Sequence, residues 1–229
     1  LMERSAFLGG QMRIAAVPPC KQEITKGIIY LCSRAKTAGV KIELNQMVTS
    51  DLVAKRKFDQ VIIANGSEAV VPSFLKGASN LVSARDILSG KIYAGKKLVI
   101  VGGGSVGCET ADYLLRPLND LSPYSRDITV IEASPYLCQD EKTSARSLLM
   151  QRLIEKGCHL LTHARVKSVN GAQLVYEIDG RDSTICDIDM VIAAVGSQTD
   201  DTLKKQLELA GIKAHAIENT LNIQIATYN

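Results

Sequence analysis

Apolar positions along this chain follow three rhythms. Aliphatic runs at residues 61–64, 98–101 and 190–195, and a fourth at 128–131 broken only by Thr129, read as buried strands. Between residues 22 and 38 the apolar set Ile24, Ile28, Leu31, Cys32 and Ala35 recurs at helical spacing, and Gly39 stands where that helix would end. Val106, Ala111, Leu114 and Leu115 give a second helix an apolar side before Arg116-Pro117 stops it. Ala145, Leu148, Leu149, Leu153 and Ile154 do the same for a third, which ends at Gly157. A fourth helical stretch covers residues 201–210.

Alternating or short extended pieces fill most of the remainder. They fall at 40–44, around Val48, at 158–162, 165–169, 174–178 and 214–217. Asn170-Gly171 is a strong hairpin turn and Asp179-Gly180 marks another, so a small antiparallel meander is expected there. Residues 73–96 read as a linker with a short helical piece at 84–88, and 117–127 as a polar, turn-rich insertion. From residue 223 the chain resembles the start of an amphipathic helix. Helices alternating with buried strands predict an α/β fold with a parallel sheet.

One junction carries chemistry. The run Leu98–Val101 leads into Gly102-Gly103-Gly104-Ser105-Val106-Gly107, and a helix follows. The spacing is G-x-G-x-x-G between a strand and a helix, the context in which that pattern binds a dinucleotide. Gly102 permits the tight turn, Gly104 lets the backbone approach a pyrophosphate, and Gly107 lets helix and strand pack closely. The helix start then offers N–H groups and a positive dipole end to the phosphates. Glu132 closes the next strand, 25 residues beyond Gly107 against a usual separation of about 20, and the polar insertion supplies the excess. A carboxylate there accepts from ribose 2′- and 3′-hydroxyls and repels a 2′-phosphate, which predicts NAD(H) rather than NADP(H).

Two further features echo this unit. Leu1–Arg4, followed by Phe7-Leu8-Gly9-Gly10-Gln11, reads as a strand end with an acidic residue, Glu3, entering a glycine loop. Residues 58–66 and 187–196 repeat one pattern: Asp, an aliphatic strand, then Ala-x-Gly.

Composition excludes more than it assigns. The chain has 229 residues, 46% hydrophobic and 22% charged, with a net charge of +3, too small to argue for nucleic acid or a membrane surface. Lys55-Arg56-Lys57, the one basic cluster, reads as a solvated loop. No apolar run approaches the roughly 18 residues of a membrane span, and no secretory leader pattern opens the chain. The six cysteines, at 20, 32, 108, 138, 158 and 186, form neither CxxC nor a metal-ligand pair, so reduced thiols in a cytoplasmic protein without a metal site are expected. Tyr93 and Lys97 match Y-x-x-x-K, but they precede the glycine loop, the reverse of the order in short-chain dehydrogenases. The histidines at 159, 163 and 215 have no nucleophile beside them. No side chain is nominated as catalytic.

Taken together, Glu3, Gly9-Gly10-Gln11, Ala16-Val17-Pro18-Pro19, Ala64-Asn65-Gly66, Gly102–Glu109 and Ala194-Val195-Gly196 resemble the pyridine nucleotide–disulfide oxidoreductase fold. The resemblance covers nearly the whole chain and is nearest to the C-terminal region of Old Yellow Enzyme-like NADH:flavin oxidoreductases, the group of 2,4-dienoyl-CoA reductase, enoate reductase and trimethylamine dehydrogenase. It implies a Rossmann-like NAD(H) domain, residues 73–196, inserted in an FAD domain represented by 1–72 and 197–229. By that resemblance Gly102, Gly103, Gly104, Ser105, Val106, Gly107, Glu109, Glu132 and Gly196 serve NAD(H). Glu3, Gly9, Gly10, Gln11, Val48 and Gly66 serve FAD.

The departures shape the expectation. The family's first glycine motif would lie upstream of Leu1, its Gly-Asp near the C-terminus is Glu218-Asn219 here, and its active-site cysteine pair is absent, as it is throughout the Old Yellow Enzyme-like branch. The chain is therefore expected to be a piece of a larger enzyme whose FMN and iron–sulfur barrel lies outside it, binding FAD weakly or not at all alone. The implied activity is NADH-to-flavin hydride transfer in the parent. The alternative is a non-catalytic adenine-nucleotide-binding or docking module.

Overall fold

In chain order, a computed structural model that describes residues 1–116 and 126–217 gives the following elements. They are α1 (Gly10–Ala15), α2 (Glu23–Thr37), α3 (Ser50–Arg56), β1 (Val61–Ile63), β2 (Ser67–Ala69), β3 (Leu81–Ser83), α4 (Ala84–Leu88), β4 (Lys97–Val101), α5 (Ser105–Leu114) and β5 (Asp127–Ile131). Then follow α6 (Ala145–Glu155), β6 (His159–Leu161), β7 (Arg165–Asn170), β8 (Gln173–Ile178), β9 (Arg181–Ile185), β10 (Met190–Ala193), β11 (Ser197–Thr199), α7 (Thr202–Leu209) and β12 (Ala214–Ala216). The fold is a mixed α/β arrangement with a parallel sheet and a small antiparallel meander. It divides into two units. One comprises Leu1–Ala16, Glu23–Glu68 and the segment from Ser197, and the other Val17–Gln22 and Ala69–Gly196.

The second unit is built on a five-stranded sheet in the order β3-β10-β4-β5-β6, every neighbouring pair parallel. The aliphatic runs sit in its middle because central parallel strands are covered on both faces. Leu98, Ile100, Ile128, Val130 and Ile192 pack with Ala111, Leu114, Leu149 and Leu153 on the helical side. Val99, Val101, Ile131 and Val191 pack with Leu75, Leu174 and Ile188 on the other. The meander β7-β8-β9 is inserted between β6 and β10 and forms its own antiparallel sheet. From β4 the chain winds through β5 to β6 on one side, then returns at β10 on the other. That reversal creates a topological switch point, and its crevice lies at the C-terminal ends of β4 and β10.

The first unit is thinner. β1 pairs in parallel with β12, and among the described residues Val53, Ile63 and Leu207 form a buried apolar cluster, with Val48, Val61, Leu203 and Ile212 against them. Leu1–Ser5 lies along Lys41–Gln46 through backbone hydrogen bonds that include Glu3 N–H to Glu43 O at 2.9 Å.

Several expectations are corrected. Residues 40–44 do not form a strand but make one parallel bridge, Met2 with Glu43. Leu81–Ser83, read as linker, is the outer strand of the parallel sheet, held by β10 on one edge only. Residues 55–56 of the basic cluster belong to α3, which Thr49 caps by accepting from Leu52 N–H at 3.3 Å, and Arg56 makes two 2.7 Å bonds to Glu43. On α2 the expected face holds except for Leu31, which is 67% exposed, and no residue of that helix is fully buried. Val106, Leu148 and Ile154 likewise point outward. Residues 117–125, Glu218-Asn219 and the tail from 223 lie outside the described residues. Tyr93 is almost fully exposed, and Lys97 opens β4.

Candidate functional site

β4 ends where its backbone must reverse into α5. Gly102 does this at φ +106°, a conformation side chains resist, and a Cβ there would lie 2.4 Å from the Ala194 carbonyl oxygen. Gly107, one turn into α5, stands so close to the loop that a Cβ would fall 1.9 Å from Gly102 O. Gly104 is different. It precedes α5 as its N-cap in extended conformation, and nothing but the Asp140 carboxylate comes within 4 Å of a Cβ added there. Two of the three motif glycines thus serve close packing, and the third keeps open space in front of the helix start.

α5 has ten residues and its first N–H groups have no intrahelical acceptor. Ser105 N–H donates to both Asp140 oxygens, at 3.0 and 3.2 Å. Glu132 follows β5 directly, half-buried. One of its oxygens accepts from Gly103 N–H at 2.6 Å and the other from Ser134 N–H at 2.8 Å. A carboxylate has about four lone-pair sites, so two acceptor positions remain for further donors. β5 next to β4, in register from Lys97 opposite Asp127 to Val101 opposite Ile131, is what brings Glu132 to the glycine loop. Gly196, at φ +108°, lies beyond β10, the other neighbour of β4, and stands exposed with open space around it.

Sequence reasoning missed two residues here. Lys21 pairs with Glu109 on α5, and no periodicity marks it because it lies in an irregular stretch after Pro18-Pro19. Burial pushes the Glu109 carboxyl up, Lys21 draws it back, and the charges of Asp140 and Glu141 push it up further. Asp140 is the second. Behind them, the buried Asp112 of α5 accepts from Arg152 of α6 at 2.8 and 3.0 Å and from Lys156 at 2.6 Å, which fixes the two helices together. Cys108 and Cys138 are buried under the loop, Cys138 N–H donating to Gly103 O at 2.8 Å, and the Cys108 thiol is raised by its neighbour Cys138 and by burial.

In the first unit, the residues expected at FAD fall into two groups. Gly9 (φ +112°) and Gly10 (φ +45°) lead into α1, and Gln11 donates through Nε2 to Ser67 O at 2.8 Å beside Gly66 (φ +76°). A Cβ at Gly66 would lie 2.8 Å from that Nε2, so the Gln11 and Gly66 segments are brought together. Glu3 accepts from Ser5 N–H at 2.8 Å, and Val48 is half-buried beside the Val53 core.

The family description "Pyridine nucleotide-disulphide oxidoreductase" matches residues 3–226. The chain belongs to this family. Among curated relatives, a bilirubin reductase from Mediterraneibacter gnavus is 27% identical over 216 residues, 93% of this chain and 32% of that protein. An NADH oxidase from Thermoanaerobacter brockii is 31% identical over 231 residues, 97% of this chain and 34% of the relative. The chain thus spans about a third of the length of these two relatives. Of solved structures, a 2-naphthoyl-CoA reductase complex superposes with a TM-score of 0.82 at 24% identity, covering 94% of this chain and 32% of that one. Histamine dehydrogenase from Rhizobium sp. 4-9 gives 0.81 at 19%, covering 95% and 36%. These two likenesses carry the fold, and it is the one the sequence resembled. Among the described residues no group of His, Cys, Asp and Glu could hold a metal ion, and no helix is long and apolar enough to cross a membrane.

Proposed function

We propose that this chain is the nucleotide-binding region of a flavin-dependent NADH oxidoreductase. In this reading residues 73–196 hold NAD(H), while 1–72 and 197–229 contribute part of an FAD site. The observation that carries the reading is the placement of Glu132 against the glycine loop at the switch point of the parallel sheet, its carboxylate 2.6 Å from Gly103 N. The residues fit the dinucleotide by shape. Gly104 leaves room at the helix start, α5 supplies N–H donors for a pyrophosphate, and Glu132 retains acceptor positions for the ribose hydroxyls.

A nicotinamide bound here would supply a hydride for a flavin to accept, so the protein's part is binding and orientation. Gly196 keeps the backbone bare on the opposite side of β4 from Glu132, the side assigned to the nicotinamide half. Lys21 pairs with Glu109 on α5, the acid assigned to the nicotinamide end of the loop. Gly9, Gly10, Gln11 and Gly66 would lie along FAD, with Glu3 on its ribose and Val48 at its adenine. A barrel carrying FMN and an iron–sulfur centre, elsewhere in the same parent chain, would receive the electrons.

Titration calorimetry with NADH, NADPH and ADP tests the reading. NADH binding about tenfold or more tighter than NADPH is expected, with NADH also tighter than ADP. Preference for NADPH would refute the assignment of Glu132. Equal affinity for ADP and NADH would leave a module that recognises adenosine only.

A further inference from the structure

The space that the glycine motif leaves open at the start of α5 is filled by a side chain. Both Asp140 oxygens lie 3.9 Å from where a Cβ on Gly104 would stand, and both accept from Ser105 N–H, at 3.0 and 3.2 Å. A negative oxygen pair bonded to the first free N–H of a ten-residue helix has the chemistry of a bound phosphate. We propose that Asp140 is a gate on the nucleotide loop, an internal competitor that holds the phosphate position at α5 and leaves it when a pyrophosphate arrives. The proposal rests on the reading of this loop as a dinucleotide site.

The geometry around Asp140 suits a residue that moves. The loop before it is anchored, since Leu137 and Cys138 are buried and Cys138 N–H holds Gly103 O at 2.8 Å. Asp140 itself is exposed, so its side chain can rotate away without opening the core. One N–H cannot serve the carboxylate and a phosphate oxygen at full strength together, and two anions a few ångströms apart repel. The surroundings sharpen that repulsion. The charges of Asp140 and Glu141 both bear on the Glu109 carboxyl, to which Lys21 is paired, so Asp140 stands among other acids. Displacing Asp140 clears the negative charge nearest to the helix start.

The test compares the intact chain with Asp140→Ala and Asp140→Asn, using ADP, NADH and adenosine as titrants. Removal of the competitor is expected to tighten ADP and NADH about five- to tenfold while leaving adenosine unchanged. Asp140→Asn keeps the side-chain volume and an acceptor oxygen, should the alanine variant fail to fold, and is expected to give the same direction with a smaller gain. Unchanged or weaker ADP and NADH affinity in the folded variants would overturn the gate while leaving the site reading intact. Absence of ADP and NADH binding in wild type and variants alike would overturn the site reading and the gate with it.

Discussion

At the residue scale the glycines of one motif separate by task. At Gly107 an added methyl would meet the Gly102 carbonyl, backbone on backbone, with no flexible side chain to yield. Gly107→Ala is therefore expected to destabilise its unit by about 1–3 kcal/mol or more, the usual cost of overpacking. At Gly104 the backbone is extended, with φ −67°, and no backbone atom is near, so Gly104→Ala should fold with little loss yet weaken NADH by crowding the phosphate approach. Chemical denaturation and NADH titration of both variants check this, and a Gly104 variant that unfolds as readily as the Gly107 one would contradict it. The spacing of these glycines marks, in the sequence itself, the turn from β4 into α5 where the candidate site lies. Lys21 and Asp140 were not legible, because each sits in irregular chain and meets α5 only through tertiary folding.

At the scale of elements, length decided what the sequence could reveal. Strands of four or five aliphatics announce themselves, but β3 contributes three residues, Leu81-Val82-Ser83, too few for a period to show. α3 was hidden differently, its charged end outweighing the two apolar residues, Leu52 and Val53, that mark its inner side. Its Arg56 ties the helix to the Leu1–Ser5 and Lys41–Gln46 ladder through Glu43. The hydrogen bond from Arg56, helped by Lys41, lowers the Glu43 carboxyl to about 2. An acid lowered in the folded state stabilises fully above its ordinary value of about 4.3 and loses that contribution as pH falls toward 2. The melting temperature of wild type should exceed that of Glu43→Gln at pH 6, and the gap should close between pH 4 and pH 2. A gap independent of pH would assign the difference to shape rather than charge. The pair is exposed to solvent, so salt should narrow the gap as well.

For the whole molecule, the contrast between the units governs stability. One has a parallel sheet with apolar layers on both faces, whereas among the described residues the other has a cluster of Val53, Ile63 and Leu207 beneath a two-stranded parallel pair, and Ile62 is 67% exposed. Two-stranded sheets hold poorly without a packed layer. Hydrogen exchange should therefore find Ile62 and Ile63 amides opening well before those of Val99 and Ile100, and equal protection would show that the two units unfold together. The aliphatic runs predicted β1, β4, β5 and β10, but not this imbalance, because a run says that a strand is built for burial and not what covers it.

The pairing of β1 with β12 has a consequence for how the polypeptide is made. Val61 leaves the ribosome about 150 residues before its partner Ala214, at translation rates of about 5–20 residues per second. For roughly ten seconds or more β1 waits with an apolar strand in hand, while β4, β5 and β6 emerge and can associate, and β10, ending at Ala193, completes the five-stranded sheet before Ala214 appears. Vectorial synthesis thus sets an assembly order in which the nucleotide loop is shaped first and the segmented unit closes last. A chaperone acting on the nascent chain would find its binding segment at Val61–Ala64 during that interval.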